Sequence, residues 1–324
     1  MVDFIRVSIG TASKLNLLRI KVLAEPTTAY LMSFSDGKCT ANCAFCTQAR
    51  DSKSSVEYLS RIVWPKFNFN DVLKAFKNSN RFKRICIQTL VYPRYIEETI
   101  EIVSKLKSIT TIPISVSIHP RSRGDIEALK NAGVERIGIG VDASSKQVFA
   151  STKRPFSWDK TMNIVFEARD VFGPNKVSVH LIYGLGDSDR EFLELIHKLY
   201  SLNINVGLFT FTPVEGTLME SHNKPNYSSY RGIQLAHYLI KIGLATINDF
   251  NFNHDGKLIG ISINKDKLVE IVESGEPFKT SGCPNCNRPF YNESPGEILY
   301  NYPTSEMVLK DMEKIRVQLK HLLN

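Results

Sequence analysis

No stretch of this chain carries the run of roughly 20 apolar residues that a membrane helix needs, so a transmembrane helix is not expected. The N-terminal stretch MVDFIRVSIGTASKLNLLRIKV breaks its apolar residues with polar or charged ones every few positions. It does not read as a secretory leader, and a cytoplasmic location is expected. A dense Lys/Arg stripe with interleaved aromatics, the mark of a nucleic-acid binder, is also missing. The formal charge of +8 is spread out, with NSNRFKR and HPRSR as its local concentrations. Neither nucleic acid nor a membrane is an expected partner, although a basic surface can steer an acidic protein toward it. Cysteine is scarce, six residues in 324. In a reducing compartment, close cysteine spacings point to metal or redox chemistry more than to disulfides.

What is present is a long alternation. Strand-like runs (TTAYLMSF, RICIQTL, PISVSIH, RIGIGVDA, KVSVHLIYGL, NVGLFTFTPV) are separated by amphipathic ones such as YIEETIEIVSKLKS and DREFLELIHKLYSLN. Asn70 is expected as a helix N-cap in FNDVLKAFKNSN, and Gly133 and Gly173 as C-cap glycines. Alternation of this kind predicts an α/β fold with a parallel sheet, curled into a partial or full (β/α) barrel; a doubly wound open sheet is the competitor. The expected organisation is an N-terminal extension over residues 1–26, a barrel over 27–243, and a C-terminal extension over 244–324. That extension holds a helix near KDKLVEIVESG, a CxxC in SGCPNCNRPFYNESPGE, and one amphipathic terminal helix, SEMVLKDMEKIRVQLKHLL. The stretch NDFNFNHDGKLIGISIN reads as irregular.

Polar or unusual residues fall at the C-terminal ends of successive predicted strands. A cysteine loop follows the first strand, and Gln88 with Thr89 ends the second. His119 follows the third, Asp142 ends the fourth, and Gly184 with Gly186 follows the fifth; Pro213 and Gly216 follow the sixth. That edge is where ligands bind in barrels and open α/β sheets alike, so the pattern predicts a single site.

The cysteine loop, KCTANCAFCTQ, spaces Cys39, Cys43 and Cys46 as CxxxCxxC with no fourth ligand nearby. A closed zinc site wants four ligands. A 4Fe–4S cluster takes one thiolate per iron, so three cysteines leave one iron open to a non-protein ligand. The alternative is zinc completed from elsewhere, for instance by Cys283 and Cys286. With Phe45 just before the last cysteine and the loop after strand one of a six-fold β/α chain, the motif resembles the radical S-adenosylmethionine (SAM) superfamily. The resemblance extends over roughly residues 27–243. It implies a 4Fe–4S cluster on Cys39, Cys43 and Cys46 whose open iron chelates SAM. It also implies reductive cleavage to a 5′-deoxyadenosyl radical, with a reductant such as ferredoxin as partner. Gln88 and Thr89 then resemble the turn that meets the methionine amino group, without its usual glycines. Phe45, Asp142, Gly184 and Gly186 resemble further cofactor contacts, and TPVEGT the loop near adenine.

LKNAGVERIGIGVDASSKQVF, HLIYGLGDS and FTPVEGT resemble the biotin synthase-related branch. Biotin synthase proper holds a second cluster with cysteines on strands two, three and five; the matching places are Cys86, Ser115 and Ser178, so two thiolates are missing. The C-terminal CPNCNRPFYNESPGE is similar to the archaeal-type two-component lipoyl synthases. That likeness implies an auxiliary 4Fe–4S cluster on Cys86, Cys283 and Cys286 with Ser294 or Ser281 as a fourth ligand, and Arg288 beside it. It further implies sulfur insertion into an octanoyl chain on an acidic lipoyl-carrier protein, with a second radical SAM subunit as a candidate partner. Another C–H functionalising enzyme of the same branch and a zinc-stabilised binding protein are the rival readings; Cys86 can equally be a buried small hydrophobe. His180, with the parity of Ser178, is expected to face the barrel interior. His119 is either a site or a core residue, and Arg154 either a carboxylate contact or a surface arginine.

Overall fold

The computed structural model describes residues 2–77, 81–293 and 296–323. Eight strands make the main sheet: β1 (Phe4–Val7), β2 (Thr28–Ser33), β3 (Lys66–Asn68), β4 (Arg84–Gln88), β5 (Ile114–Ser117), β6 (Arg136–Asp142), β7 (Val177–Tyr183) and β8 (Asn205–Thr210). Their spatial order is β8-β7-β6-β5-β4-β2-β1-β3. From β2 to β8 every pairing is parallel, while β1 runs antiparallel to both β2 and β3. The fold is therefore α/β with a mostly parallel sheet. Each of the six predicted runs supplies one parallel strand, because β-branched residues buried on both faces suit a strand covered by helices. β2 is buried at all six positions.

The crossover helices are α1 (Phe69–Lys77), α2 (Tyr95–Lys107), α3 (Arg123–Asn131), α4 (Trp158–Phe172) and α5 (Asp189–Ser201); α6 (Tyr227–Lys241) follows β8. Ser122 caps α3, and Ser188 with Glu191 forms a capping box on α5. Gly133 and Gly173 sit at positive φ just past their helices. The cap of α1 is not Asn70: the helix starts at Phe69, and Asn68 Oδ1 accepts the Asn70 N–H at 3.0 Å. Residues 78–80, in the predicted helix FNDVLKAFKNSN, lie outside the described residues.

Two further expectations change. The stretch read as irregular contains a hairpin, Phe250–Phe252 with Leu258–Ile261, closed around a turn at Gly256. The terminal helix is two helices, Ser305–Lys310 and Met312–Leu323, broken at Asp311, whose carboxylate is held by the Tyr302 hydroxyl at 3.1 Å and by Lys314 at 2.7 Å.

The free edge of β8 decides how the site is built. Its outward backbone groups would be unpaired, yet side chains of the C-terminal segment take them. Ser281 Oγ accepts the Leu208 N–H at 2.9 Å, Arg288 donates to the Leu208 carbonyl at 3.2 Å, and Asn292 donates to the Thr210 carbonyl at 2.9 Å. The same segment reaches the start of β2, where Asn287 Oδ1 accepts the Thr27 N–H at 3.0 Å and Asn285 O accepts from Thr28 at 3.3 Å. One segment can bond both strands only if the sheet curls, so residues 281–292 close the seam between β8 and β2. Behind the seam, buried Arg231 donates to the Tyr300 carbonyl at 2.6 Å, and Glu293 accepts the N–H groups of Tyr300 and Asn301 at 2.8 and 2.9 Å. These bonds tie the segment's far end to α6.

Candidate active site

The cysteine loop is held from several sides before any ligand binds. Cys39 N–H donates to the Gln48 carbonyl at 3.0 Å, Thr40 to Val91 at 2.7 Å, and Cys46 to Cys43 at 3.1 Å. Lys38 reaches over the loop to the Thr47 carbonyl at 2.8 Å. Asn42 and Cys43 pair antiparallel with Arg154 and Lys153. Gly216, after β8, lies so close to the Ser54 backbone that a Cβ would meet it at 2.4 Å, and its carbonyl accepts the Lys53 N–H at 2.7 Å. That loop therefore needs glycine for packing against the cysteine loop's exit.

Burial pushes the Cys43 thiol up to about 12 and the Cys46 thiol to about 11, the latter eased by a backbone hydrogen bond from Gln48. Next to them lies a buried ion pair, Lys153 with Asp142. Burial alone would lower the lysine, but Asp142 and then Cys43 outweigh it and hold it charged. The residue beside it, Arg154, is exposed. Sequence reasoning weighed Arg154 and missed Lys153; only the pairing with Cys43 tells the two apart.

The second group of thiols is built from distant parts of the chain. Cys86 on β4 stands in register between Tyr30 on β2 and Ser115 on β5. The Tyr30 hydroxyl lies 3.4 Å from Cys286 Sγ, and the Ser115 hydroxyl donates to Cys283 Sγ at 3.6 Å. Ser178 Oγ is 3.9 Å from the same sulfur. Both strand neighbours of Cys86 thus touch a CxxC sulfur, which gathers Cys86, Cys283 and Cys286 around one space. The two strand positions that lack thiols, Ser115 and Ser178, are the ones Cys283 fills from outside the sheet. Burial, and then the other two sulfurs, push the Cys86 thiol far up. Arg288, at φ 32°, lies 3.8 Å over the Phe209 ring, with its N–H on the Tyr30 hydroxyl at 2.9 Å. Ser281 Oγ accepts the Leu208 N–H at the β8 edge; Ser294 lies outside the described residues.

A cavity of about 180 Å³ joins the two groups. Phe45, Cys46, Gln88, Asp142 and His180 line it together with Cys86, Cys283, Cys286 and Arg288, and the Gln88 amide donates to Cys86 Sγ at 3.2 Å. A Cβ on Gly138 or Gly207 of the flanking strands would come within 3.0 or 3.1 Å of the His180 ring, so those two glycines make its seat. Burial first, then Arg288 and Lys153, bring His180 down to about 3 and keep it neutral. Among the described residues its ring nitrogens have no hydrogen-bond partner.

Other predicted residues are not among those lining this cavity. Thr89 spends its hydroxyl on the Ser117 carbonyl at 3.1 Å. Gly184, at φ +103°, is required by Pro225, which a Cβ would meet at 2.3 Å, and Gly186 lies near Val148. His119 packs on Phe156 with ring centroids 3.9 Å apart.

Among the described residues no three His, Cys, Asp or Glu side chains form a cage for a single metal ion. A lone ion draws its donors within about 2.3 Å of one point, whereas a cluster spreads its thiolates one to each iron. The chain thus carries two sets of three thiols, each without a fourth cysteine, Cys39 buried and the other five partly buried. All six cysteines are free thiols.

Residues 36–199, half of the chain, match the radical SAM superfamily. The chain belongs to that superfamily. It is also distantly related to biotin synthase. It is 22% identical over 201 residues to the biotin synthase of Methanococcus vannielii, covering 59% of this chain and 57% of that one. It is 24% identical over 226 residues to one from Methanococcus maripaludis, covering 67% and 64%. The chain spans less than two thirds of the length of these curated relatives. Among solved structures, methylornithine synthase superposes with a TM-score of 0.54 at 14% identity, covering 64% of this chain and 60% of that one. The FeFe-hydrogenase maturase of Carboxydothermus hydrogenoformans gives 0.53 at 17% identity, covering 75% and 56%. These likenesses concern the fold alone. Radical SAM membership implies a 4Fe–4S cluster and SAM. No helix among the described residues is long and apolar enough to cross a membrane.

Proposed function

We propose that this radical SAM enzyme functionalises an unactivated C–H bond by inserting sulfur, and that its substrate is an octanoyl chain on a lysine of an acidic carrier protein. The distant relation to biotin synthase supports the broader statement, C–H functionalisation. One observation supports the sulfur: a single cavity is lined by Phe45 and Cys46 and also by Cys86, Cys283 and Cys286.

When bound, the loop cluster with SAM would supply hydrogen-atom abstraction and the inner cluster a sulfide. The chain's own residues do the rest. Cys39, Cys43 and Cys46 would hold the first group, with Asp142, which lines the cavity and is paired with Lys153, beside it. Cys86, Cys283 and Cys286 would hold the second, with Tyr30 and Ser115 as hydrogen-bonding neighbours of its sulfurs. Neutral His180 offers a hydrogen bond without placing a charge beside an alkyl chain. Phe209, Phe211 and Ile182 line the same cavity and would keep water from a carbon radical.

The reading is tested by anaerobic reconstitution and turnover with an octanoylated carrier peptide. About two clusters' worth of iron and a thiolated product are expected. Zinc in place of iron at the inner site, or 5′-deoxyadenosine without carbon–sulfur bond formation, would remove the sulfur source from this chain.

A further inference from the structure

A second cavity, of about 310 Å³, lies against the outer side of the seam. Tyr30, Arg288 and Tyr291 line both cavities, so a single layer of side chains separates them. Its walls are mainly apolar: Ile20, Leu23 and Ala24 from the irregular segment before β2, Ile62 from the hairpin after the cysteine loop, and Phe290. Leu23 is 66% exposed and Ile20 38%, so apolar surface continues out to solvent. Lys21 and Arg61 also line the cavity, and Arg19 is exposed beside Lys21. Arg19 and Lys21 form no ion pair among the described residues. In the partition, Tyr291 packs edge-on against Trp64 and Phe209, at centroid distances of 6.4 and 6.1 Å. Its hydroxyl has no hydrogen-bond partner among the described residues. Its titratable neighbours are Cys86, Arg288, Cys286 and Cys46, so the hydroxyl is available at the boundary with the thiol-lined cavity.

These features describe one kind of occupant. Apolar walls suit an alkyl chain, a hydroxyl without a partner suits the carbonyl that links the chain to its carrier, and a basic rim suits an acidic carrier. We propose that the second cavity is the channel through which an amide- or thioester-linked acyl chain, presented by an acidic protein, reaches the thiol-lined cavity, with Tyr291 donating to the linking carbonyl. This rests on the acyl-chain reading above and adds the route and the recognition groups.

Binding tests it without turnover. The probe is a fluorescent acidic peptide bearing Nε-octanoyl-lysine, compared with the same peptide bearing Nε-acetyl-lysine, titrated by anisotropy against the full reconstituted chain. The octanoyl peptide should bind at least tenfold tighter. Ala24→Phe, which fills the cavity, and Leu23→Asp, at an exposed position that leaves the fold intact, should each weaken it about tenfold. Tyr291→Phe should weaken it about fivefold, as loss of one hydrogen bond does. Lys21→Glu should weaken both peptides alike and flatten the dependence on salt. Melting temperatures check that each variant folds. Equal affinity for the two peptides, or unchanged octanoyl affinity in both Ala24→Phe and Leu23→Asp, overturns the channel. If the channel variants weaken binding but the wild type forms no thiolated product, the channel stands and the sulfur-insertion reading fails. If product forms with unchanged KM in those variants, the channel fails and the reading stands.

Discussion

The two cysteine groups of this molecule share one cavity but are made in opposite ways. The loop group comes from eight consecutive positions, Cys39 to Cys46. Its geometry is set by short-range backbone bonds such as Cys46 N–H to the Cys43 carbonyl at 3.1 Å. The inner group joins a strand cysteine, Cys86, to two that lie about two hundred residues later in the chain. Its geometry depends on a seam segment held by side-chain bonds to two different strands. A local site can be read as a motif and survives much change elsewhere. A site assembled over a seam is only as ordered as the segment that closes it.

The difference is testable, and the largest effect is on radical formation. Changing Cys39, Cys43 or Cys46 to Ala should abolish 5′-deoxyadenosine formation after dithionite reduction. The double variant Cys283→Ala with Cys286→Ala should keep that activity and lose any thiolated product. If both activities vanish together in the double variant, the two sites are not independent and the comparison fails.

Next in size is the buried pair behind the loop. Lys153→Ala leaves Asp142 buried without its partner, a change that costs about 3–5 kcal/mol. Combining it with Asp142→Asn should restore much of the stability, as read by urea denaturation. A double variant no more stable than the single one would show that Lys153 acts through packing instead.

A smaller effect separates the sites through the seam. Ser281→Ala leaves the buried Leu208 N–H unpaired, at a cost of about 1–3 kcal/mol. Iron should be lost more readily from the inner site than from the loop. Equal loss from both would mean that the segment supports the whole sheet and not the inner group alone.

The smallest effect lies away from both sites and calibrates them. His237 is buried, its Nε2 2.8 Å from the Tyr200 hydroxyl, and burial, with Lys241 adding, lowers its pKa to about 3. An unfolded histidine titrates near 6.5. Between about pH 6.5 and 3 the unfolded chain therefore binds a proton that the fold refuses. The contribution to stability is fully present above pH 6.5 and is lost as pH falls through that window. His237→Gln should flatten the fall of the melting temperature between pH 6.5 and 4. An unchanged slope would assign the acid sensitivity to other buried groups, such as His119 and His180.

The amino-acid sequence by itself determined the parallel α/β alternation and the loop site. Both depend on neighbours close in the chain: β-branched runs that want burial on two faces, caps such as Ser188 and Gly173, and three thiols whose spacing is their chemistry. Local rules failed where two neighbours compete for one role. Asn68 caps α1 where Asn70 was expected, and Lys153 is buried where Arg154 was weighed. The alternation could not decide between a curled and an open sheet, because period-2 and period-3.6 patterns carry no information about which edges meet. Tertiary structure alone decided that residues 281–292 close the β8–β2 seam, that Cys283 stands beside Ser115 and Ser178, and that Tyr30 and Tyr291 border two cavities. Those contacts join residues more than a hundred positions apart. What brings them together is the need of a free strand edge to find hydrogen-bond partners, a demand that belongs to the folded sheet and to no single stretch of the chain.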